Sequence, residues 1–187
     1  ERATRDFHAN VRVTSRRSQQ VLERTAPFFQ LQQSISDSDT MPTQDTTARF
    51  ASDLARKTAA TIARLQAAGV GGGRPIAVIS ASPATVYVLT RACAALALPL
   101  MPLDPTLPEA TLTDLLAQAG VNVVVAERHY AGYRHIHTAA LLAAPTSNTL
   151  PPSRLAPHDI ALLIATSGSS GTPRAVMLTA GNLTAAA

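Results

Sequence analysis

Short apolar runs alternate with helical stretches from residue 45 onward, and this alternation limits the fold more than any other feature of the 187-residue chain. The runs cover 75–80, 98–103, 121–125 and 160–164. The first is too short for a helix and continuous enough to be buried on both faces of a sheet. Strands separated by helices need crossover connections, and a parallel sheet accommodates these. The sequence therefore predicts an α/β fold, a mostly parallel sheet with helices on both faces.

The first predicted helix begins after residue 44 and ends before Gly69. Asp45 or Thr46 is suited to cap its start, and Gly69 is suited to the left-handed conformation that ends a helix. Between them, residues recur at helical spacing and are expected to form one buried stripe: Phe50, Leu54, Thr58, Ile62 and Leu65.

Two further helices are bounded by proline and glycine. Ser82 followed by Pro83 predicts an N-cap and a first-turn proline, and Gly120 predicts the end of the third helix. Asp104 opens the proline-containing turn before that helix and is interpreted as a turn cap. The buried faces are expected to contain Val86, Leu89, Cys93 and Leu96 in the second helix and Leu112, Leu115, Leu116 and Ala119 in the third.

Composition argues against two classes of function. The formal net charge is +4 and the pI is about 10.0, but the cations are scattered and 4% of residues are aromatic, so surfaces for stacking nucleic-acid bases are scarce. No apolar run is long enough to span a bilayer. The single cysteine, Cys93, cannot form an internal disulfide and is interpreted as a core residue. We expect a cytoplasmic protein with no nucleic-acid partner and no membrane span.

The N-terminal 44 residues differ in composition from the rest. They are polar and rich in Ser, Thr, Gln and Arg, and the stretch 34–40 is typical of a linker. A short amphipathic helix over 21–31 is opposed by Pro27. We divide the chain into a segment 1–44 and an α/β part 45–187. Because the chain lacks an initial methionine and ends in an uncapped helix-favouring stretch, we expect it to be part of a longer protein.

The stretch 165–174 follows the apolar run 160–164 directly. Ligands collect at the carboxyl ends of parallel strands, which favours a binding loop here. Gly168 and Gly171 allow successive backbone N–H groups to converge on an anion. Arg174 adds a permanent charge with a fork geometry for phosphate oxygens, and hydroxyl groups come from Thr166, Ser167, Ser169, Ser170 and Thr172. The loop is therefore predicted to hold a polyphosphate.

Three better-known loop patterns do not fit. The Walker A pattern requires a glycine, a lysine and a hydroxyl residue at the start of a helix, whereas Pro173 and Arg174 precede a stretch that looks extended. The glycines at 69–73 end a helix and do not follow a strand, which excludes the dinucleotide fingerprint. A nucleophile elbow needs glycines two residues away on each side of its serine, and Gly168-Ser-Ser-Gly171 is one residue short.

The longer segment Thr166-Ser-Gly-Ser-Ser-Gly-Thr-Pro-Arg-Ala-Val-Met-Leu-Thr-Ala-Gly-Asn-Leu183 resembles the phosphate-loop motif of the AMP-forming adenylating superfamily. This superfamily comprises acyl- and aryl-CoA ligases, adenylation domains of nonribosomal peptide synthetases, and luciferases. Segments upstream agree with it in order and spacing, so that the resemblance covers about residues 45–183. It identifies 45–187 as part of an ATP-binding subdomain that ends just after the phosphate loop.

The resemblance implies an activity and its cofactors. ATP and a carboxylic acid would give an acyl-adenylate and pyrophosphate, with Mg²⁺, followed by transfer to the thiol of CoA or of a carrier-protein phosphopantetheine. The phosphate-binding residues implied are Thr166, Ser167, Gly168, Ser169, Ser170, Gly171, Thr172 and Arg174. The residues that contact adenine, ribose and magnesium, and the catalytic lysine, would lie beyond residue 187. We therefore expect no catalytic residue within this chain and no adenylation by the chain alone.

Three departures from the motif leave alternatives open. Arg174 replaces lysine, Ala175 replaces glycine and Ala180 replaces histidine, which together suggest altered ATP handling. We expect an acyl- or aryl-CoA synthetase. The alternatives are an amino-acid adenylation domain of a nonribosomal peptide synthetase and a non-catalytic module that keeps the fold for binding.

Two smaller patterns are interpreted without a functional role. His135 and His137 could share one strand face, but no Cys or acidic third ligand lies at a metal-like spacing. A surface loop and no metal site are expected there. Asn182-Leu-Thr184 matches a glycosylation sequon, which means little in a cytoplasmic chain.

Overall fold

The structure, a computed structural model, describes residues 44–142, 152–166 and 174–185, which all fall in the unit Pro42–Ala187. Residues 1–43 of the predicted segment 1–44, with its helix over 21–31, and most of the Ser/Gly loop lie outside the described residues. The domain boundary at residue 44 stays a prediction. The elements in chain order are α1 (Gln44–Ala67), β1 (Ile76–Ile79), α2 (Pro83–Ala95), β2 (Leu100–Leu103), α3 (Glu109–Gln118), β3 (Val123–Ala126), β4 (Arg134–His137), α4 (Thr138–Leu142), β5 (Ile160–Thr166), β6 (Arg174–Thr179) and α5 (Ala180–Ala185).

The strands form one mixed sheet in the order β4-β3-β1-β2-β5-β6. The first five strands are parallel, and β6 runs antiparallel to β5. All four residues of β1 are buried, as expected of a strand with helices on both sides. The predicted α/β class with a mostly parallel sheet is confirmed.

Two apolar layers cover the two faces of the sheet. On one face, Ile76 and Val78 of β1 pack with buried side chains of α1, α2 and α4. On the other face, Ala77 and Ile79 pack with the buried leucines of α3. This alternation follows from the two-residue period of a strand and confirms helices on both faces.

The predicted helix boundaries are mostly correct. The Thr85 N–H donates to Ser82 Oγ at 3.3 Å, and Pro83 occupies the first turn of α2. Gly69 and Gly120 have φ of +63° and +64°, the left-handed conformation expected after α1 and α3. Cys93 is fully buried in α2, and burial raises the pKa of its thiol to about 12.

Two predictions about α1 are wrong at its N-terminal end. The helix begins at Gln44, so Asp45 and Thr46 lie inside its first turn and do not precede it. Phe50 is 51% exposed, whereas Thr58, Ile62 and Leu65 are buried as predicted. The stripe therefore packs against the sheet only in the second half of the helix.

The prediction of a surface loop around His135 is also wrong, because residues 134–137 form the strand β4. This strand lies at the edge of the sheet and its residues are exposed or half-buried. Because exposed positions do not require apolar residues, this strand lacks the continuous apolar run from which the inner strands were predicted. None of the helices in the described ranges has the length and apolar content needed to cross a membrane.

Candidate functional site

The candidate site lies at the edge of the sheet where the parallel strands end. Strands β1, β2, β3 and β5 all finish at this edge, because they run in the same direction. The Ser/Gly loop leaves β5 here and returns into β6, whose first residue is Arg174. Polar loops at this edge are where open α/β sheets bind ligands.

Thr166 and Arg174 form the two ends of the loop and are directly paired. They are Cα partners in the antiparallel register of β5 and β6, so their side chains lie on the same face of the hairpin. The Thr166 hydroxyl donates to the Arg174 carbonyl oxygen at 3.3 Å. The remaining predicted phosphate-binding residues lie outside the described residues: Ser167, Gly168, Ser169, Ser170, Gly171 and Thr172.

The Arg174 side chain is exposed at the start of β6. In the parts of the chain that the structure describes, no acidic side chain pairs with its guanidinium group. The hairpin thus brings a hydroxyl and a permanent positive charge to one face beside a loop with two glycines. This combination suits an anion with several oxygen acceptors, such as a phosphate chain.

A cavity of about 320 Å³ adjoins the base of the loop. It lies between the end of β2, the start of α3 and the end of β5, and its wall is mostly apolar. Asp104, Thr111 and Thr166 supply its polar side chains. The other lining residues are Pro102, Leu103, Leu107, Leu115, Ile164 and Ala165.

Asp104 is held as the turn cap that the sequence predicts. Its Oδ1 accepts from the Thr106 backbone N–H at 2.8 Å and from the Thr106 hydroxyl at 2.7 Å. These hydrogen bonds lower the pKa of the Asp104 carboxyl group, because they stabilise its charged form. The lining of the cavity beside the loop therefore includes one negatively charged side chain.

The three departures from the family motif lie at different distances from the loop. Ala175 points to the opposite face from Thr166 and Arg174 and packs against the layer of α3. Ala180 follows the far end of β6, roughly 20 Å from Arg174 at about 3.4 Å per residue. Its N–H donates to the Asp159 carbonyl oxygen at 2.9 Å. Arg174 and Ala175 therefore lie at the base of the loop, on opposite faces of the hairpin, and Ala180 lies away from it.

Thr179 and Asn182 have a structural role that the sequence interpretation missed. The amide oxygen of Asn182 accepts from the Thr179 backbone N–H at 3.1 Å and from its hydroxyl at 2.9 Å. The Asn182 N–H donates to the Thr179 hydroxyl at 3.1 Å. This reciprocal arrangement is a capping box at the start of α5. A polar residue three positions after a threonine was the signal that could have identified it.

Histidines 135 and 137 do share one face of β4, because they pair with Val124 and Ala126 on the α3 side of β3. The structure adds His129, whose ring centre is 5.4 Å from that of His135. Across the described ranges, no group of three or more His, Cys, Asp or Glu side chains could hold a metal ion.

Comparison with known proteins identifies the family to which the chain belongs. The sequence model of the family described as AMP-binding enzyme matches residues 43–187. Feruloyl-CoA synthase from Amycolatopsis sp is 31% identical over 150 residues, which cover 74% of this chain and 30% of that protein. Nonribosomal peptide synthetase dtxS1 from Metarhizium robertsii is 33% identical over 94 residues, or 45% of this chain and 1% of that protein.

A solved structure shares the fold. O-succinylbenzoate CoA synthetase from Bacillus subtilis, solved with its acyl-adenylate intermediate, has a TM-score of 0.60 and 20% identity. The alignment covers 69% of this chain and 36% of that protein. The chain thus spans at most about a third of the length of these relatives.

Proposed function

Because the chain belongs to the AMP-binding enzyme family, the AMP-forming adenylating superfamily, we propose that it carries the phosphate-binding part of an ATP-dependent ligase. The ligase joins a carboxylic acid to AMP, releases pyrophosphate and passes the acyl group to a thiol. The observation that carries this proposal is the pairing of Thr166 with Arg174 at the ends of the Ser/Gly loop. It is supported by their position at the carboxyl edge of the sheet.

The residues of this chain act on the leaving pyrophosphate. Attack of the acid on the α-phosphorus leaves negative charge on the β- and γ-phosphates, which must be held in place. The Arg174 guanidinium group and the loop N–H and hydroxyl groups are suited to hold it. Mg²⁺ bound with ATP supplies further charge neutralisation. In line with the family resemblance, we propose that its protein ligand lies beyond residue 187.

Within this family we propose the branch of acyl- or aryl-CoA synthetases, with CoA as the thiol acceptor. The feruloyl-CoA synthase similarity extends over 74% of the chain, whereas the similarity to the peptide synthetase dtxS1 extends over 45%. The alternative is an adenylation domain that loads an amino acid onto the phosphopantetheine of a carrier protein. The similarity to dtxS1 supports that alternative.

A non-catalytic module of the same fold is the third candidate. The replacement of lysine by Arg174 favours it, because a planar guanidinium group differs in shape from an ammonium group. The position of Ala180 at the far end of β6 weakens the case for it.

Carboxylate-dependent exchange of labelled pyrophosphate into ATP tests the proposal on the whole protein. The panel contains aromatic acids, aliphatic acids and amino acids. Exchange that depends on an acid without an amino group, followed by CoA-dependent release of AMP, is the expected result. Exchange with amino acids alone indicates the peptide-synthetase branch. No exchange with any acid contradicts the ligase and leaves the non-catalytic module.

Replacement of Arg174 tests the site itself. Arg174→Ala is expected to weaken ATP binding to the whole protein about tenfold, since a hydrogen bond to a charged group is worth about 1.5–3 kcal/mol and this side chain is exposed. Arg174→Lys keeps the charge and is expected to lose less. Titration calorimetry with ATP gives the affinities, and Arg91→Ala, another exposed arginine, is the matched control. Unchanged affinity of Arg174→Ala removes Arg174 from the site.

A further inference from the structure

Three imidazole rings lie together on the α3 side of the sheet edge formed by β4. The ring centres of His129 and His135 are 5.4 Å apart, and those of His135 and His137 are 6.2 Å apart. His129 belongs to the connection between β3 and β4, and it is exposed, whereas His135 is half-buried. The fold therefore adds a third ring to the pair that the sequence places on one strand.

The hydrogen bonds of two of these rings decide which nitrogen atoms are available. His135 Nε2 lies 3.1 Å from the Ala126 carbonyl oxygen, which can only accept, so Nε2 carries the proton and Nδ1 keeps its lone pair. A ring N–H donated to a backbone carbonyl is the usual arrangement of a metal-binding histidine, because it fixes the tautomer. By contrast, His137 Nδ1 accepts from the Ala139 N–H at 3.2 Å, so its lone pair is occupied.

The spacing of His129 and His135 suits one shared metal ion. Two imidazole nitrogens at about 2.1 Å from a tetrahedral ion place their ring centres roughly 5 Å apart. The observed 5.4 Å is close to this value. The 6.2 Å between His135 and His137 is longer and fits such an ion less well.

The two arginines next to these histidines in sequence, Arg128 and Arg134, make contacts with other groups. The Arg128 guanidinium group donates to the Tyr130 hydroxyl at 2.9 Å and lies 3.6 Å from Glu109 on α3. The Arg134 guanidinium group donates to the Ala68 carbonyl oxygen after α1. The ion pair with Glu109 partly offsets the charge of Arg128, and Arg134 lies on the opposite face of β4 from His135.

We propose that His129 and His135 form a two-histidine site for a divalent transition metal ion of the zinc, nickel and copper class. His135 contributes Nδ1, water completes the coordination, and His137 takes no part. Imidazole is a preferred ligand of these ions. The ion would link the β3–β4 connection to β4, a strand that pairs with β3 alone among the described strands. This site is independent of the proposed adenylating function.

Titration of the untagged whole protein with ZnCl₂ tests the site. We expect one equivalent to bind, with a rise in the melting temperature as zinc is added, because a ligand of the folded state stabilises it. His129→Ala and His135→Ala are each expected to weaken binding at least about tenfold. His137→Ala and the exposed His158→Ala are expected to bind as the unaltered protein does.

The position of binding is checked by ring ¹⁵N chemical shifts, in which His135 Nδ1 is expected to change on zinc addition and His137 Nδ1 is not. His129→Ala changes an exposed side chain, so it separates loss of a ligand from loss of folding if His135→Ala is unstable. Absence of zinc binding overturns the proposal. Binding that survives His129→Ala, or that disappears in His137→Ala, overturns the assigned ligands.

Discussion

At the scale of single residues, the Thr166 hydroxyl can donate one hydrogen bond, either to the Arg174 carbonyl oxygen or to a phosphate oxygen of a bound nucleotide. In the structure it donates to the Arg174 carbonyl oxygen and so joins the two ends of the loop. A phosphate oxygen would require that the hydroxyl turn away from this carbonyl. The hydrogen bond to the Arg174 carbonyl oxygen therefore gives Thr166 a role in stabilising the base of the loop.

Replacement of Thr166 by valine keeps the shape and removes the hydroxyl. We expect amide hydrogen exchange near residues 164–166 and 174–176 to become up to about fivefold faster without nucleotide, because a hydrogen bond contributes about 1 kcal/mol. Thr166→Ser keeps the hydroxyl and is expected to exchange as the unaltered protein does. If Thr166→Val weakens ATP binding but leaves exchange unchanged, the hydroxyl acts on the ligand alone.

Asp104 gives a prediction for pH. Hydrogen bonds from Thr106 lower the pKa of this carboxyl group in the folded protein. Its stabilising contribution is therefore present above the unfolded pKa of about 4 and is lost as the pH falls through the lower, folded value. Urea unfolding is expected to find Asp104→Asn less stable than the unaltered protein near neutral pH, with the difference disappearing in strong acid. Asp114→Asn, an exposed carboxyl group on α3, is the control. A difference that persists in acid contradicts this explanation.

At the scale of elements, the apolar runs predicted the inner strands well because burial on both faces demands continuous apolar residues. The edge strand β4 escaped recognition because three of its four residues, Arg134, His135 and His137, are polar. Its place in the sheet comes from backbone pairing with β3, which side-chain pattern does not report. The start of α1 was predicted too late for a different reason. Several residues near a helix start are suited to cap it, so sequence alone leaves the first helical residue uncertain by one or two positions.

The short helix α5 provides a test in which local propensity and packing disagree. Alanine is favoured over glycine in a helix by about 1 kcal/mol. A Cβ at Gly181, however, would lie 2.9 Å from the Pro157 carbonyl oxygen, to which the Gly181 N–H donates at 2.8 Å. Relief of this contact would break the hydrogen bond. We therefore expect Gly181→Ala to destabilise the protein by about 1–2 kcal/mol in urea unfolding.

Thr184→Ala on the exposed side of α5 is the control for that measurement. It removes the hydrogen bond from the Thr184 hydroxyl to the Ala180 carbonyl oxygen and leaves the contact with Pro157 unchanged. A stabilised Gly181→Ala variant would mean that helix propensity outweighs the contact with Pro157.

At the scale of the whole molecule, the sequence was sufficient for the fold class and insufficient for the strand order. Alternating strands and helices imply a parallel sheet, but the position of β1 between β3 and β2 depends on the crossovers chosen by tertiary packing. The candidate site shows the same limit. Thr166 and Arg174 were both assigned to the loop from sequence, whereas their pairing requires the antiparallel return of β6 onto β5.

The two apolar layers pack on opposite faces of one sheet. We therefore expect the two layers to unfold together. Leu65 of α1 and Leu116 of α3 are both 0% exposed and lie on opposite faces. Each change to alanine is expected to cost about 2–5 kcal/mol, through lost burial and the cavity left behind. Because the two side chains belong to separate layers, the double variant is expected to lose the sum to within about 0.5 kcal/mol.

Urea unfolding followed by circular dichroism and by hydrogen exchange checks this expectation, with Phe50→Ala, an exposed site, expected to change stability by no more than about 0.5 kcal/mol. Both leucine variants should lower the midpoint and leave the urea dependence of the unfolding free energy unchanged, since each layer buries the same central strands. If Leu116→Ala releases the α3 layer while the α1 layer stays protected, the layers unfold separately. The sheet would then not couple the unfolding of its two faces.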